Sequence, residues 1–65
     1  MENVIIQTRK GMVIRQLFVE VLCGDSRRYW DGELQVSPEK FESIISNSRR
    51  DGLVVVDNRS PWKSR

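Results

Sequence analysis

Four groups of side chains in this 65-residue chain are of types that carry chemistry or recognition. Asp25, Asp31 and Glu33 are carboxylates close together in sequence, the material for general acid–base work or for holding a cation. Cys23 is a potential nucleophile. Arg27-Arg28-Tyr29-Trp30 joins two guanidinium groups to two aromatic rings, a combination that neutralises phosphates and stacks on bases, or anchors a protein interface. Arg59, Trp62, Lys63 and Arg65 repeat that mixture further along.

Catalysis finds little support in these residue types. The chain has no histidine, so the commonest proton shuttle near neutral pH and the commonest transition-metal ligand are both missing. The three carboxylates stand beside Gly24, Ser26 and Gly32, which makes them turn formers, and their spacing does not match a calcium loop. Cys23 has no base to activate it and closes an apolar run, so it reads as a small buried hydrophobe. Gly11, Gly24, Gly32 and Gly52 punctuate separate breaks and form no phosphate-binding loop. Neither an enzymatic activity nor a metal or cofactor is expected.

Size and charge narrow the class further. A chain of about 60 residues buries only ~60% of the surface its unfolded form exposes, which leaves room for one domain and no deep cavity. One cysteine excludes an internal disulfide. The longest apolar stretch, Met12 to Cys23, is broken by Arg15, Gln16 and Glu20 and falls short of the ~18 residues of a membrane span. The first residues, Met-Glu-Asn-Val, lack the basic region of a signal peptide. A soluble, cytoplasmic protein with no membrane partner is expected. The net charge of +2 hides a pattern: residues 1–15 carry +2, residues 16–48 carry −3 and residues 49–65 carry +3.

The elements that must position these groups follow from periodicity. Val4-Ile5-Ile6 reads as a strand, turning at Arg9-Lys10-Gly11. Met12 to Cys23 fits both periods, but Val13, Ile14, Val19 and Val21 are β-branched and no capping residue precedes them. A long strand is therefore preferred over a helix ending at Gly24. Tyr29 to Val36 is either a hairpin about Asp31-Gly32 or one strand with a glycine bulge. Ser37 as N-cap, Pro38 in first position and Gly52 beyond Arg49-Arg50 predict a helix over 38–50. Its buried stripe is Pro38, Phe41, Ile44, Ile45 and Ser48, with Val36 and Phe41 as a hydrophobic staple. Leu53 to Val56 is an unbroken apolar run, which predicts a central strand covered on both faces. The fold class expected is α+β: a small, single-layer, antiparallel-rich sheet in β-β-β-α-β order with one helix on one face. Residues 1–58 form this single domain and residues 59–65 a short basic tail.

With no catalytic set, function must lie on the surface. The expectation is a small non-enzymatic protein-interaction module, a regulator or inhibitor of the kind phages and mobile elements encode. Its contact residues are Arg27, Arg28, Tyr29, Trp30, Arg59, Trp62, Lys63 and Arg65. The rival is a nucleic-acid-binding module using the basic hairpin, Arg27-Arg28 at a turn and the tail. It ranks second because the cations are dispersed among acidic neighbours. Tyr29 and Trp30 also have a purely structural use, as core residues. Met12 to Cys23 carries more apolar side chains than one short helix can cover, which predicts a homodimer or a tightly bound partner.

Overall fold

The computed structural model describes residues 2–59. Strands β1 (Glu2–Gln7), β2 (Val13–Val21), β3 (Arg27–Asp31) and β4 (Leu34–Val36) lead into helix α1 (Pro38–Arg50), and β5 (Val54–Asp57) follows. The strands form one antiparallel sheet in the order β4-β3-β2-β1-β5, so three successive hairpins lie side by side and the last strand returns to pair with the first. The α+β class with one helix on a single sheet is as the sequence predicts.

Local chemistry explains the helix boundaries. The Ser37 hydroxyl accepts from the Lys40 N–H at 3.1 Å, satisfying one of the donors that a helix start leaves free. At the other end Leu53 N–H donates to the Ser48 carbonyl and Gly52 N–H to the Arg49 carbonyl, both at 3.0 Å. That pair of bonds is a Schellman cap, and it needs the left-handed backbone that Gly52 supplies at φ +82°. A side chain there would also press on the Arg9 guanidinium, whose Nε donates to the Gly52 carbonyl at 3.1 Å and ties the β1–β2 turn to the helix end.

One side of the helix meets one side of the sheet. Val4, Ile6, Leu17, Val19, Phe41, Ile44 and Ile45 are the buried core, with Tyr29, Val36, Leu53 and Val55 packed at its margin. Val36 and Phe41 thus both join the core, as a staple would. The Tyr29 and Phe41 rings lie 4.9 Å apart at a tilt of 55°. Ser48 is buried in the same stripe and donates its hydroxyl to the Ile44 carbonyl at 2.8 Å, so the burial leaves no stranded polar atom.

Four expectations are resolved or corrected. Residues 13–21 are strand, and residues 29–36 form the hairpin, with positive φ at Gly32 alone. The run Leu53 to Val56 does not form the central strand: β5 is an edge, and Val54 and Val56 are exposed. An unbroken apolar run signals two apolar faces, and here only one of them is covered. Cys23 is exposed in the β2–β3 loop, because β2 ends at Val21, before the thiol could turn inward.

Phe41→Ala should cost about 3–5 kcal/mol, since it deletes the largest wholly buried ring from a core of seven residues. Urea unfolding followed by circular dichroism checks this. A loss under about 1 kcal/mol would show that Phe41 does not hold the two layers together.

Candidate functional site

Because side chains alternate along a strand, the neighbours of the core residues project from the other side of the sheet. Register places them in rows. Gln35, Trp30, Phe18 and Asn3 lie opposite one another across β4, β3, β2 and β1. The next row is Gln16, Ile5 and Val56, and beyond a β-bulge at Ile6/Gln7 comes Val13, Gln7 and Val54. No element covers this side among the described residues, because the one helix occupies the opposite face. Trp30, Phe18, Ile5, Val56 and Val54 therefore form a diagonal apolar band across this side, with Val13 set apart from it by Gln7 and Gln16.

The polar groups of this face are mostly neutral. Asn3, Gln7, Gln16 and Gln35 supply amides. Among the described residues its two ionisable side chains, Glu20 and Arg28, face each other across β2 and β3 and make an ion pair at 3.6 Å. The same Glu20 oxygen accepts from the Trp30 indole N–H at 3.3 Å, which orients the ring against the sheet.

The predicted contact residues do not stay together. Arg27 to Trp30 is the strand β3 and not a turn, so its side chains divide between the two faces. Arg28 and Trp30 join the open face. Tyr29 lies against the core and Arg27 shares its side of the sheet. Trp62, Lys63 and Arg65 lie outside the described residues. Arg59 is held by the fold: it donates to Asp57 through Nε at 2.9 Å and through Nη2 at 2.7 Å, and to Glu42 through Nη1 at 2.9 Å. Its guanidinium carbon stands 5.6 Å from the Phe41 ring centre. Phe18, Ile5, Val54, Val56 and Val13 complete the face but were not picked out as contacts. The signal for Phe18 and Val13 was the apolar character of both faces of β2, and for Ile5, Val54 and Val56 the unbroken apolar runs Val4-Ile5-Ile6 and Leu53 to Val56.

Elsewhere the chemistry is dispersed. Asp25 lies in the β2–β3 loop and Asp31 at the other end of β3, where Arg15 binds it through two hydrogen bonds of 3.1 and 3.2 Å. Among the described residues no three carboxylate or thiol groups gather where a metal ion could sit, and no helix is long and apolar enough to cross a membrane. A groove of about 290 Å³ between α1 and the bulged end of β2 lies at the lower limit of ligand pockets, which run ~300–1,000 Å³. Arg9 and Lys10 sit beyond the opposite end of β2 from Arg27 and Arg28. No continuous basic face joins them among the described residues.

Together these features define a class, an open-faced α+β sheet backed by one helix. Comparison with protein-family models, curated proteins and solved structures found no significant match to this chain.

The Arg59 cluster has a measurable pH signature. The Arg59 hydrogen bonds hold the Asp57 carboxyl below its ordinary value, against an opposing push from burial, while Asp57 in turn raises Arg59. A carboxyl lowered on folding stabilises the fold fully above its unfolded value of about 3.9, and this is lost as pH falls through the folded value. Arg59 stays charged throughout. In Asp57→Asn the melting temperature should fall less steeply below about pH 4 than in the unaltered chain. Identical acid limbs in the two proteins would remove Asp57 from the account. Arg59→Ala should cost about 1 kcal/mol, or roughly 4–8 °C in melting temperature, because the pairs are partly exposed.

Proposed function

We propose that this chain is a small non-enzymatic protein-interaction module that binds its partner through the helix-free face of the sheet. The observation that carries the reading is the uncovered apolar band from Trp30 and Phe18 through Ile5 to Val56. Large, contiguous apolar area rimmed by neutral amides is the composition of an interface core, where aromatic residues concentrate binding energy and charges are depleted. The role this supports is regulator or inhibitor of another protein in the cytoplasm, in the manner of compact factors encoded by phages and mobile elements. A second copy of the chain belongs among the partners such a face would accept.

Nucleic-acid binding is the second reading, and one observation favours it. Phe18 and Trp30, both half-buried, lie opposite each other on adjacent strands of an open sheet, and aromatic rings on such a surface stack unpaired bases. It ranks lower because, among the described residues, the one cation of that face, Arg28, is paired with Glu20.

Affinity capture from lysate, with and without nuclease, separates the two. A nuclease-resistant protein partner is expected, and Trp30→Ala should weaken its binding by about 30-fold or more, the effect of losing an interface anchor worth ~2 kcal/mol. Capture that disappears entirely on nuclease treatment would reverse the ranking.

A further inference from the structure

We infer that the outer edge of β5 is a dimer seam, at which two copies of this chain pair antiparallel about a two-fold axis at Val55 and join their sheets into one. The seam is independent of what the open face binds.

Backbone phase shows what the edge offers. Asn58 N–H donates to the Asn3 carbonyl at 2.9 Å, and in an antiparallel pair that bond fixes which residues exchange hydrogen bonds across the strands. Val54 and Val56 therefore turn their N–H and C=O groups toward β1, while Val55 and Asp57 turn theirs outward. Leu53 also faces outward, but its N–H is taken by the Ser48 carbonyl, which leaves its C=O. Among the described residues no strand lies beyond this edge. Lysine, proline and bulges, the usual guards of an exposed edge, are missing from Val54–Asp57. The opposite edge differs. β4 is three residues long, runs straight into Ser37-Pro38 and turns only Gln35 outward, so it ends the sheet.

The edge is complementary to itself. With Val55 opposite the Val55 of the second copy, each donates its N–H to the carbonyl of the other, and each Asp57 N–H meets the carbonyl of the other Leu53. Every outward donor of the strand then has an acceptor. The same register sets Val54 against Val56 on the open side and Val55 against Val55 on the helix side, β-branched pairs that suit neighbouring strands.

Charge favours a second copy over an unrelated strand. The Leu53 end of the edge carries Arg9, bonded to the Gly52 carbonyl, and Arg49 and Arg50 of the last helical turn, against Asp51. The Asp57 end carries Asp57 and Glu42 against Arg59. One end is basic and the other acidic, and antiparallel pairing brings the basic end of each copy to the acidic end of the other. The two helices then stand on the same side of the joined sheet, with their C-terminal ends at opposite ends of the seam. A two-fold contact of this kind closes at the dimer.

A chemically synthesised full-length chain N-methylated at Val55 tests the seam, because the methyl group removes the outward donor and blocks the edge while every bond to β1 is kept. In sedimentation equilibrium from about 1 to 100 µM, the unaltered chain should reach twice its 7.6 kDa mass. Association should be at least about 10-fold weaker in the N-methylated chain at unchanged circular dichroism. Should that chain fail to fold, hydrogen exchange of the unaltered protein decides, since the Val55 amide should gain at least about 10-fold protection as dimer forms. A monomer at about 100 µM, equal association of the folded N-methylated chain, or a Val55 amide that exchanges as fast in dimer as in monomer overturns the inference. Association that survives N-methylation but is lost in Trp30→Ala overturns it as well and puts the contact on the open face.

Discussion

One helix of thirteen residues has to cover a five-stranded sheet, and a helix has only one stripe to give. Phe41, Ile44 and Ile45 bury Val4, Ile6, Leu17 and Val19, and that single contact supplies nearly all the interior this chain possesses. The caps at Ser37 and Gly52 fix where the stripe begins and ends, and the Arg9 bond to the Gly52 carbonyl fixes where it lies across the β1–β2 hairpin. The same constraint creates the open face. Among the described residues the apolar side chains that alternate with the core residues have no second helix to meet, so they are left half-buried or exposed on that side.

Three of the arginines are matched to carboxylates within the fold. Arg15 is engaged by Asp31, Arg28 by Glu20, and Arg59 by Asp57 and Glu42. Each of these pairs is partly exposed and contributes little energy by itself. Their larger consequence is for recognition, because an arginine already matched to a carboxylate attracts phosphate weakly. The chain is basic in sum and yet presents a nearly neutral open face.

How legible was this in the sequence? The helix was readable to the residue, because its signals are local: a serine cap, a proline in first position, a 3.6-residue stripe and a glycine in left-handed conformation after the last turn. The first hairpin was readable from its β-branched runs and glycine turn, whereas Asp31-Gly32 left a hairpin and a bulged strand both open until the pairing of β3 with β4 decided it. The role of Leu53 to Val56 was not, since a strand apolar on both sides looks the same whether its second face is covered or bare. Cys23 shows the same difficulty, for a strand ending two residues earlier puts a thiol in a loop. The contact cluster Arg27 to Trp30 misled because neighbours in a strand are on opposite sides of the sheet. Side chains from β1, β2, β3 and β5 gather on the open face, and no short motif could announce them.

Sequence alone therefore determined the helix and its core stripe of Phe41, Ile44, Ile45 and Ser48, because both depend on residue type and on spacing within one turn. Pro38, assigned to the same stripe, is exposed in the first turn, and the strand preferred over a helix for residues 12–23 was settled by the pairing of β2 with its neighbours. Only the tertiary structure decided which strand is the edge and which apolar residues are left uncovered. Those outcomes depend on pairing register between residues far apart in the chain, and register sets which of a strand's two faces meets the helix. The surplus of apolar residues in Met12 to Cys23 was visible from the start, and the fold put Phe18 and Val13 of that surplus on the open side while Met12, Ile14 and Val21 are exposed elsewhere.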